Sequence, residues 1–213
     1  MAKKSGLAQQ FFVGGYDLSG DIGALEECSS PRPVLDANAL NASAMERIIG
    51  LGDGAMGFMT FFNDAAGQQH LALRALPAAD TILTWVFGAT LGDVACTLMA
   101  KRLSYDWKRN QDKSLVGNVK GEANSVALEW GKTITPGKVT HSGATNGASV
   151  DDAAATTAGI MGALHVTALT GTNVVVVIQE SSDNGAGDAW TTKLSFASVT
   201  AANSSERVTA TGT

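Results

Sequence analysis

The sequence has few charged residues, four prolines, three histidines, two cysteines and no long apolar run. Cys28 and Cys96 are too few for the disulfide framework of a small secreted protein, so we expect buried free thiols rather than a bridge. No run approaches the roughly 18 apolar residues of a membrane-spanning helix, and we expect no membrane insertion. The basic start, MAKKS, is not followed by an apolar segment, which predicts that there is no signal peptide.

Residue types that carry catalysis or bind metals do not occur together. The histidines His70, His141 and His165 are predicted on a helix, a linker and a strand, without the spacing of metal ligands. Glu26 and Glu27 are adjacent carboxylates, but neighbours on a strand point to opposite faces. We therefore expect no catalytic, cofactor-binding or metal-binding residues.

Charge is scarce and its balance is slightly negative. Charged residues make up 16% of the chain and the net charge is −5, whereas soluble proteins average about 25% charged residues. The negative balance argues against a protein that grips nucleic acid, because phosphate binding depends on Lys and Arg. It is compatible with a conduit through which nucleic acid slides. Low charge and many small residues predict surfaces covered by other subunits, the alternative being an ordinary soluble β protein with glycine-rich loops.

Residues 101–123 predict a long β-hairpin with one apolar face and one charged face. Leu103, Tyr105 and Trp107 alternate with polar residues, and after a loop the alternation continues to residue 123. An odd-length loop or a bulge is needed to keep both apolar sets on one face. The charged-face residues are Arg102, Asp106, Lys108, Asn118, Lys120 and Glu122. They form either a solvated surface with cross-strand ion pairs or the lining of a channel or subunit contact.

The rest of the chain predicts further strands and two helices. Strands are predicted at residues 11–13, 16–22, 24–28, 55–62, 81–87, 94–98, 126–130, 160–169, 173–179, 190–196 and 207–211, of which 173–179 reads as the most buried. Residues 41–52 predict a helix, because Ser43 and Glu46 form a capping box ahead of an apolar stripe. A second, shorter helix is predicted within residues 64–74, and a turn at residues 181–188.

The predicted fold is mainly β and has two parts. Residues 1–138 are expected to form a β-sandwich or barrel-forming domain with one or two short helices. Residues 139–158 are turn-rich and nearly devoid of large apolar residues, which predicts a linker or long loop. Residues 159–213 are expected to form a second, smaller β-sandwich, immunoglobulin-like or lectin-like.

The order of these parts resembles the major tail tube proteins of long, non-contractile-tailed bacteriophages, especially those that infect actinobacteria. The matching stretches are GLAQQFFVGGYDLSGDIG, SAMERIIGLGDGAMGFMTFFNDAAGQQHLALRALP and KRLSYDWKRNQDKSLVGNVKGEAN with the EWGK that follows. The resemblance covers about the first 135 residues and lies in the whole pattern rather than in one short motif. Residues 159–213 resemble the β-sandwich decorations of many virion proteins.

The resemblance implies a self-assembling protein of the virion tail that is built in the bacterial cytoplasm. Hexameric rings, closed by the hairpin, would stack into a tube through the N-terminal arm and the loop at residues 29–41, with Lys3, Lys4, Arg32 and Asp36 as candidate stacking residues. The implied partners are further copies of the chain and the tape-measure, terminator and distal tail proteins. Double-stranded DNA would pass through the channel without specific binding.

The resemblance also implies a neutral-to-acidic channel lining that repels the DNA backbone. The charged face of the hairpin is the candidate lining. Its Lys and Arg residues then require neutralising partners, for which Asp106, Asp112 and Glu122 are the candidates.

Two alternatives come from other classes of protein. A capsid decoration protein would also be acidic and rich in β-structure, but it would bind a preformed shell instead of polymerising. A carbohydrate-binding module is suggested by the second sandwich and Trp190, although only Phe196 accompanies that tryptophan after residue 140. Weak contact with host-surface glycans remains compatible with a tube, because many copies multiply a poor affinity.

Overall fold

The computed structural model of the chain describes residues 5–74, 79–152 and 157–211, and in these ranges it is mainly β, as predicted. The strands are β1 (Gln10–Val13), β2 (Tyr16–Asp17), β3 (Ile22–Ser29), β4 (Val34–Asp36), β5 (Arg47–Ile49), β6 (Ala55–Phe61), β7 (Thr81–Val86), β8 (Val94–Arg109), β9 (Leu115–Ala123), β10 (Glu129–Lys132), β11 (Ile160–Val166), β12 (Val177–Glu180), β13 (Thr191–Ser195) and β14 (Ser204–Ala210). One helix, α1 (Gln69–Leu73), lies between β6 and β7. No helix in the described ranges is both long enough and apolar enough to cross a membrane.

Eight antiparallel strands form the main sheet, in the order β2-β1-β7-β8-β9-β6-β3, with β10 added to β8. The 16-residue strand β8 is its centre. Along one edge β8 pairs with β7, and along the other it pairs first with β10 and then with β9. Because β8 is long, its first half pairs with β7 and β10 and its second half with β9, which joins these strands in one sheet.

The main sheet curls around one hydrophobic core. The rings of Phe11 on β1 and Phe58 on β6 are 4.5 Å apart, although β7, β8 and β9 separate these strands in the sheet. The core consists of Phe11, Val13, Leu18, Met56, Phe58, Leu73, Leu83, Trp85, Cys96, Leu98, Ala100, Val119 and Leu128. Each large apolar side chain buried there contributes about 1.5–3 kcal/mol, which is what keeps the sheet folded over.

The predicted hairpin at residues 101–123 is confirmed as β8 and β9. Tyr105 lies opposite Val119 and Trp107 opposite Gly117, so these residues of the two strands share one face. Trp107 packs flat over Gly117, where an added Cβ would lie 3.0 Å from the indole ring. The register is set by a five-residue loop, residues 110–114, and by a bulge after Ala100.

The predicted helix at residues 41–52 is wrong. Residues 31–53 form a β-ribbon in which β4 pairs with β5. The side chain of Asn38 accepts a 2.7 Å hydrogen bond from the backbone N–H of Glu46, so the turn is closed by Asn38 and not by the predicted capping box. The two β-branched residues Ile48 and Ile49 suit a strand, and the apolar stripe of a helix here would have nothing to pack against.

The second predicted helix exists but is shorter than residues 64–74. Helix α1 begins where the buried carboxylate of Asp21 accepts hydrogen bonds from the backbone N–H of Gln69, at 3.0 Å, and from the side chain of Asn63, at 2.8 Å. A remote carboxylate thus caps the helix, which ties it to the β2–β3 connection.

Residues 159–211, here called the C-terminal module, contain two small antiparallel sheets, β11–β14 and β12–β13. They face each other closely at Gly162, where an added Cβ would lie 2.8 Å from Ile178 and 3.0 Å from Phe196. The prediction that residues 173–179 form the most buried strand is wrong, because only Val177–Glu180 is a strand, and Val175 and Val177 are about half exposed. A sandwich of two-stranded sheets can cover only the inner face of each strand.

The C-terminal module packs on the outer side of the main sheet. Arg207 donates two hydrogen bonds, of 2.7 and 2.6 Å, to the carboxylate of Glu129 on β10. The backbone at residues 203–204 presses against Gly15, which has φ +87° and has no space for a side chain. The connection at residues 133–152 and 157–159 contains no strand, as the linker prediction requires, and the proposed division into domains stays a prediction.

Candidate functional site

The charged-face residues predicted from the hairpin do lie on one face of the main sheet. In the register of β8 and β9, Arg102 lies opposite Glu122 and Asp106 opposite Asn118, with Lys120 between them opposite Ser104. On β9 these positions are exposed, whereas the alternate residues point into the core. The surface continues over the neighbouring strands β6 and β3, and we call the whole of it the charged face.

An ion pair crosses three strands of the charged face. Lys120 on β9 donates to Glu27 on β3 at 3.0 Å, passing over Gly57 on the strand between them. This contact and the Ser29 hydroxyl hold the pKa of Glu27 below its usual range, and the same contact raises the pKa of Lys120. Gly57 makes the pair possible because it carries no side chain between the two.

The charged face carries both signs of charge. Its described side chains include the cations Lys108 and Lys120 and the anions Glu27, Asp106 and Glu122. The partner of Lys120 is Glu27, which the sequence did not single out. Asp112, expected as a neutralising partner, instead accepts a 2.7 Å hydrogen bond from the Ser114 hydroxyl within the hairpin loop.

An aromatic layer beneath the charged face holds the hairpin in place. The hydroxyl of Tyr105 hydrogen-bonds the side chains of Gln69, at 3.0 Å, and His70, at 2.8 Å, which both belong to α1. The rings of Tyr105 and Trp107 meet edge to face at 5.2 Å, and Trp107 also meets Phe62 at 5.1 Å. The hairpin is therefore fixed to the helix by packing and by polar contacts, so the charged face is presented on a rigid support.

The ribbon at residues 31–53 extends the β3–β6 pair beyond the main sheet. After the last sheet pair, Ser29 with Ala55, backbone hydrogen bonds continue from Asp53 to Pro31 at 3.0 Å and from Gly50 to Pro33 at 2.7 Å. Pairing then runs through β4 and β5 to a turn near residues 39–45. The ribbon is thus a continuous two-stranded projection.

Apolar side chains are exposed on both faces of the ribbon. Val34 lies opposite Ile49 on one face, and the next pair, Leu35 and Ile48, lies on the other. These four side chains are 54–66% exposed, and Leu40 and Leu51 are exposed still more. Monomeric soluble proteins rarely leave contiguous apolar surface uncovered, so both faces have the character of contact surfaces.

Two of the four predicted stacking residues lie in the described part of the chain. Arg32 lies at the base of the ribbon, between two prolines and close to Gly52. Asp36 lies on β4 and forms a 3.7 Å ion pair with Arg47, in which both side chains are more than half exposed, so the pair is weak. Lys3 and Lys4 lie outside the described residues.

Strand β3 is an unprotected edge of the main sheet. Within the part of the chain that the structure describes, β3 pairs with β6 on one side only. It is eight residues long and carries Glu27 on the charged face. An unpaired edge of this length is a template for pairing with a second strand.

The remaining candidate residues do not form a site. Across residues 5–74, 79–152 and 157–211, no three His, Cys, Asp or Glu side chains are placed to hold a metal ion. The predicted turn at residues 181–188 is present, and the Asp183 carboxylate accepts backbone hydrogen bonds from Ala186 and Asp188 there. Trp190 is 41% exposed and packs against this turn, whereas Phe196 is buried. A flat aromatic surface for a sugar ring is therefore limited to Trp190 in this module.

His165 joins the C-terminal module to the main sheet. Its Nδ1 accepts a 3.3 Å hydrogen bond from the backbone N–H of Gly15, and its Nε2 shares a 2.8 Å hydrogen bond with the Thr84 hydroxyl. The ring stacks on Phe12 at 5.5 Å. Burial lowers the pKa of His165 to about 4, so the ring is neutral at pH 7 and donates its Nε2–H to Thr84.

No known protein family matches the sequence, and no curated protein matches it.

Proposed function

We propose that this chain is a virion structural protein that assembles into hexameric rings, which stack as the tail tube of a long-tailed bacteriophage and form the channel for genome delivery. The resemblance of its first 135 or so residues to major tail tube proteins supports this proposal. Its partners would be further copies of itself and the proteins that initiate and terminate the tail. Its place would be the virion tail.

The observation that carries the proposal is the ribbon. A two-stranded projection with exposed Val34 and Ile49 on one face and Leu35 and Ile48 on the other is unfavourable in an isolated monomer. Inserted between neighbouring copies, it would bury both faces at once. Burial of these four side chains would contribute about 25 cal/mol for each Å² of apolar surface removed from water.

The open edge and the charged face also fit assembly. The unpaired edge of β3 would be covered if a neighbouring copy continued the sheet, which is how a ring removes its edges. The cations of the charged face have anions beside them, such as Glu27 next to Lys120, and this would give a channel lining that does not hold the DNA backbone. Glu27 supplies one of the neutralising charges for that lining.

Negative-stain electron microscopy of the purified full chain over a range of concentrations tests the proposal. Stacked rings or tubes with a central channel are the expected result. Monomers or trimers at every concentration, with no elongation after seeding with preformed tail tips, would contradict it. Trimers would favour a capsid decoration protein, and a monomer that binds a glycan array would favour a carbohydrate-binding module.

The channel lining has its own test. Asp106→Lys and Glu122→Lys make the charged face cationic without touching the core, and both side chains are exposed. If this face lines the channel, the variants assemble tubes that slow or block DNA ejection, because the lining then attracts phosphates. Normal DNA ejection from tubes that carry both substitutions would show that the charged face does not line the channel.

A further inference from the structure

Cys28 and Cys96 face each other across the core of the main sheet. Cys28 lies on β3 and Cys96 on β8, with β9 and β6 between them in the sheet, yet the two Sγ atoms are 3.0 Å apart. Both are free thiols. A shift of about 1 Å would bring the sulfur atoms to the length of a disulfide bond, roughly 2.05 Å.

A break in the strand register places Cys28 on the inner face. Leu25 and Cys28 are three residues apart, and an unbroken strand would point them to opposite faces. The register between β3 and β6 shifts between Leu25 and Glu27, so that Leu25 pairs with Phe58 and Cys28 with Met56, both of which are core residues. The same shift puts Glu27 on the outer face, so the thiol pair and the Lys120 ion pair have one structural cause.

We propose that Cys28 and Cys96 are an oxidative cross-linking site, at which a low-molecular-weight disulfide such as oxidised glutathione converts the two thiols into an intramolecular disulfide. Two S–H bonds and the S–S bond of the small molecule break. One protein S–S bond forms, and two molecules of the small thiol are released. The protein is oxidised by two electrons and the small disulfide is reduced by two.

The two cysteines have different parts in this reaction. Cys28 is only partly buried, whereas Cys96 is completely buried. The hydrogen bond from the Cys96 thiol lowers the pKa of Cys28, and the same contact together with burial raises the pKa of Cys96. The Cys28 thiolate therefore attacks the small disulfide first. Cys96 then attacks the sulfur of Cys28, and its proton goes to the departing thiolate.

The disulfide bond would join β3 to β8 covalently. In the described part of the chain β3 has no backbone pairing with β8, and the two cysteines are 68 positions apart in sequence. A cross-link that closes a loop of this length restricts the unfolded chain strongly, and we expect the melting temperature to rise by about 10 °C. The timing of oxidation rests on the proposed function: a virion protein is made in bacterial cytoplasm, which keeps thiols reduced, so the bond would form after release from the cell.

Oxidation of the reduced, purified full chain with oxidised glutathione tests the proposal. The expected product has lost two hydrogen atoms by intact-mass measurement, shows no reactive thiol after denaturation, and yields one peptide pair that links Cys28 to Cys96. Its melting temperature should fall back on addition of dithiothreitol. Cys28→Ser is the matched control, since it keeps the core residue Cys96. Its melting temperature should be the same with and without the oxidant.

Three results would overturn the cross-link. They are a stable glutathione adduct on Cys28, a covalent dimer between two chains, and two thiols that stay reactive after oxidation. The first measurement is made on the unmodified chain, so the test does not depend on whether Cys28→Ser folds.

Discussion

Phe58 on β6 is completely buried, whereas Ile49, nine positions earlier on β5, is 66% exposed. The main sheet gives its large apolar residues a partner within the chain by curling over one core. The ribbon pairs its apolar residues only with one another across β4 and β5 and leaves them more than half exposed. The main sheet is therefore stabilised by contacts within the chain, whereas the ribbon has apolar surface that is available for assembly.

The largest effect is expected from the core of the main sheet. Phe58→Ala should lower the free energy of unfolding by about 3–5 kcal/mol, because it removes a ring packed against Phe11 and leaves a cavity. Phe61→Ala on the same strand is the matched control, since Phe61 is 48% exposed and should cost less than about 1.5 kcal/mol. Urea titration of the unassembled chain measures both. Equal losses would mean that the sheet does not enclose the core as described.

The contact between the main sheet and the C-terminal module should appear as a pH dependence. The pKa of His165 is lowered by burial to about 4, below its usual value of about 6.5, so the unfolded chain binds a proton that the folded chain does not. Stability is therefore complete above pH 6.5 and falls by about 2–3 kcal/mol as the pH drops to 4.5. Urea titration at these two pH values measures the loss.

His165→Gln should flatten this pH dependence, and His141→Gln, in the exposed connection, should leave it unchanged. An unchanged slope in His165→Gln would show that the ring is solvated, and that the C-terminal module is not seated on the main sheet as the structure has it.

A smaller difference is expected between two ion pairs. Arg207→Met removes a bidentate contact with Glu129 in which the arginine side chain is only 13% exposed, and should cost roughly 1–3 kcal/mol because shielded charged hydrogen bonds are strong. Lys120→Met removes the exposed contact with Glu27 and should leave the urea midpoint almost unchanged. A larger loss of stability for Lys120→Met than for Arg207→Met would contradict this ranking of the two ion pairs.

Local alternation was enough to predict the hairpin, because Tyr105, Trp107 and Val119 lie within one continuous ribbon and their faces follow from a period of two. The ribbon at residues 31–53 could not be predicted in the same way. The apolar positions Met45, Ile48 and Ile49 have the spacing of a helix face, whereas in a strand the adjacent Ile48 and Ile49 point to opposite faces. Pairing with residues 34–36 decides between the two, and that pairing is outside the local pattern.

The charged face, too, could be predicted only in part from local alternation. Its hairpin residues follow from alternation, but Glu27 is 93 positions from Lys120 and its direction depends on a register shift in β3. Bulges of this kind have no simple sequence signal, so both the ion pair and the approach of Cys28 to Cys96 needed the structure.

Sedimentation velocity of ribbon variants, over a range of concentrations, tests most directly whether the ribbon is an assembly surface. Ile48→Lys and Ile49→Lys place a charge on opposite faces of the ribbon, and Val177→Lys makes a similar change at an exposed strand position of the C-terminal module. All three should leave the urea midpoint of the single chain nearly unchanged. We predict that the original chain and Val177→Lys assemble with rising concentration, and that both ribbon variants stay monomeric. Assembly of the ribbon variants at the same concentrations as the original chain would contradict the account.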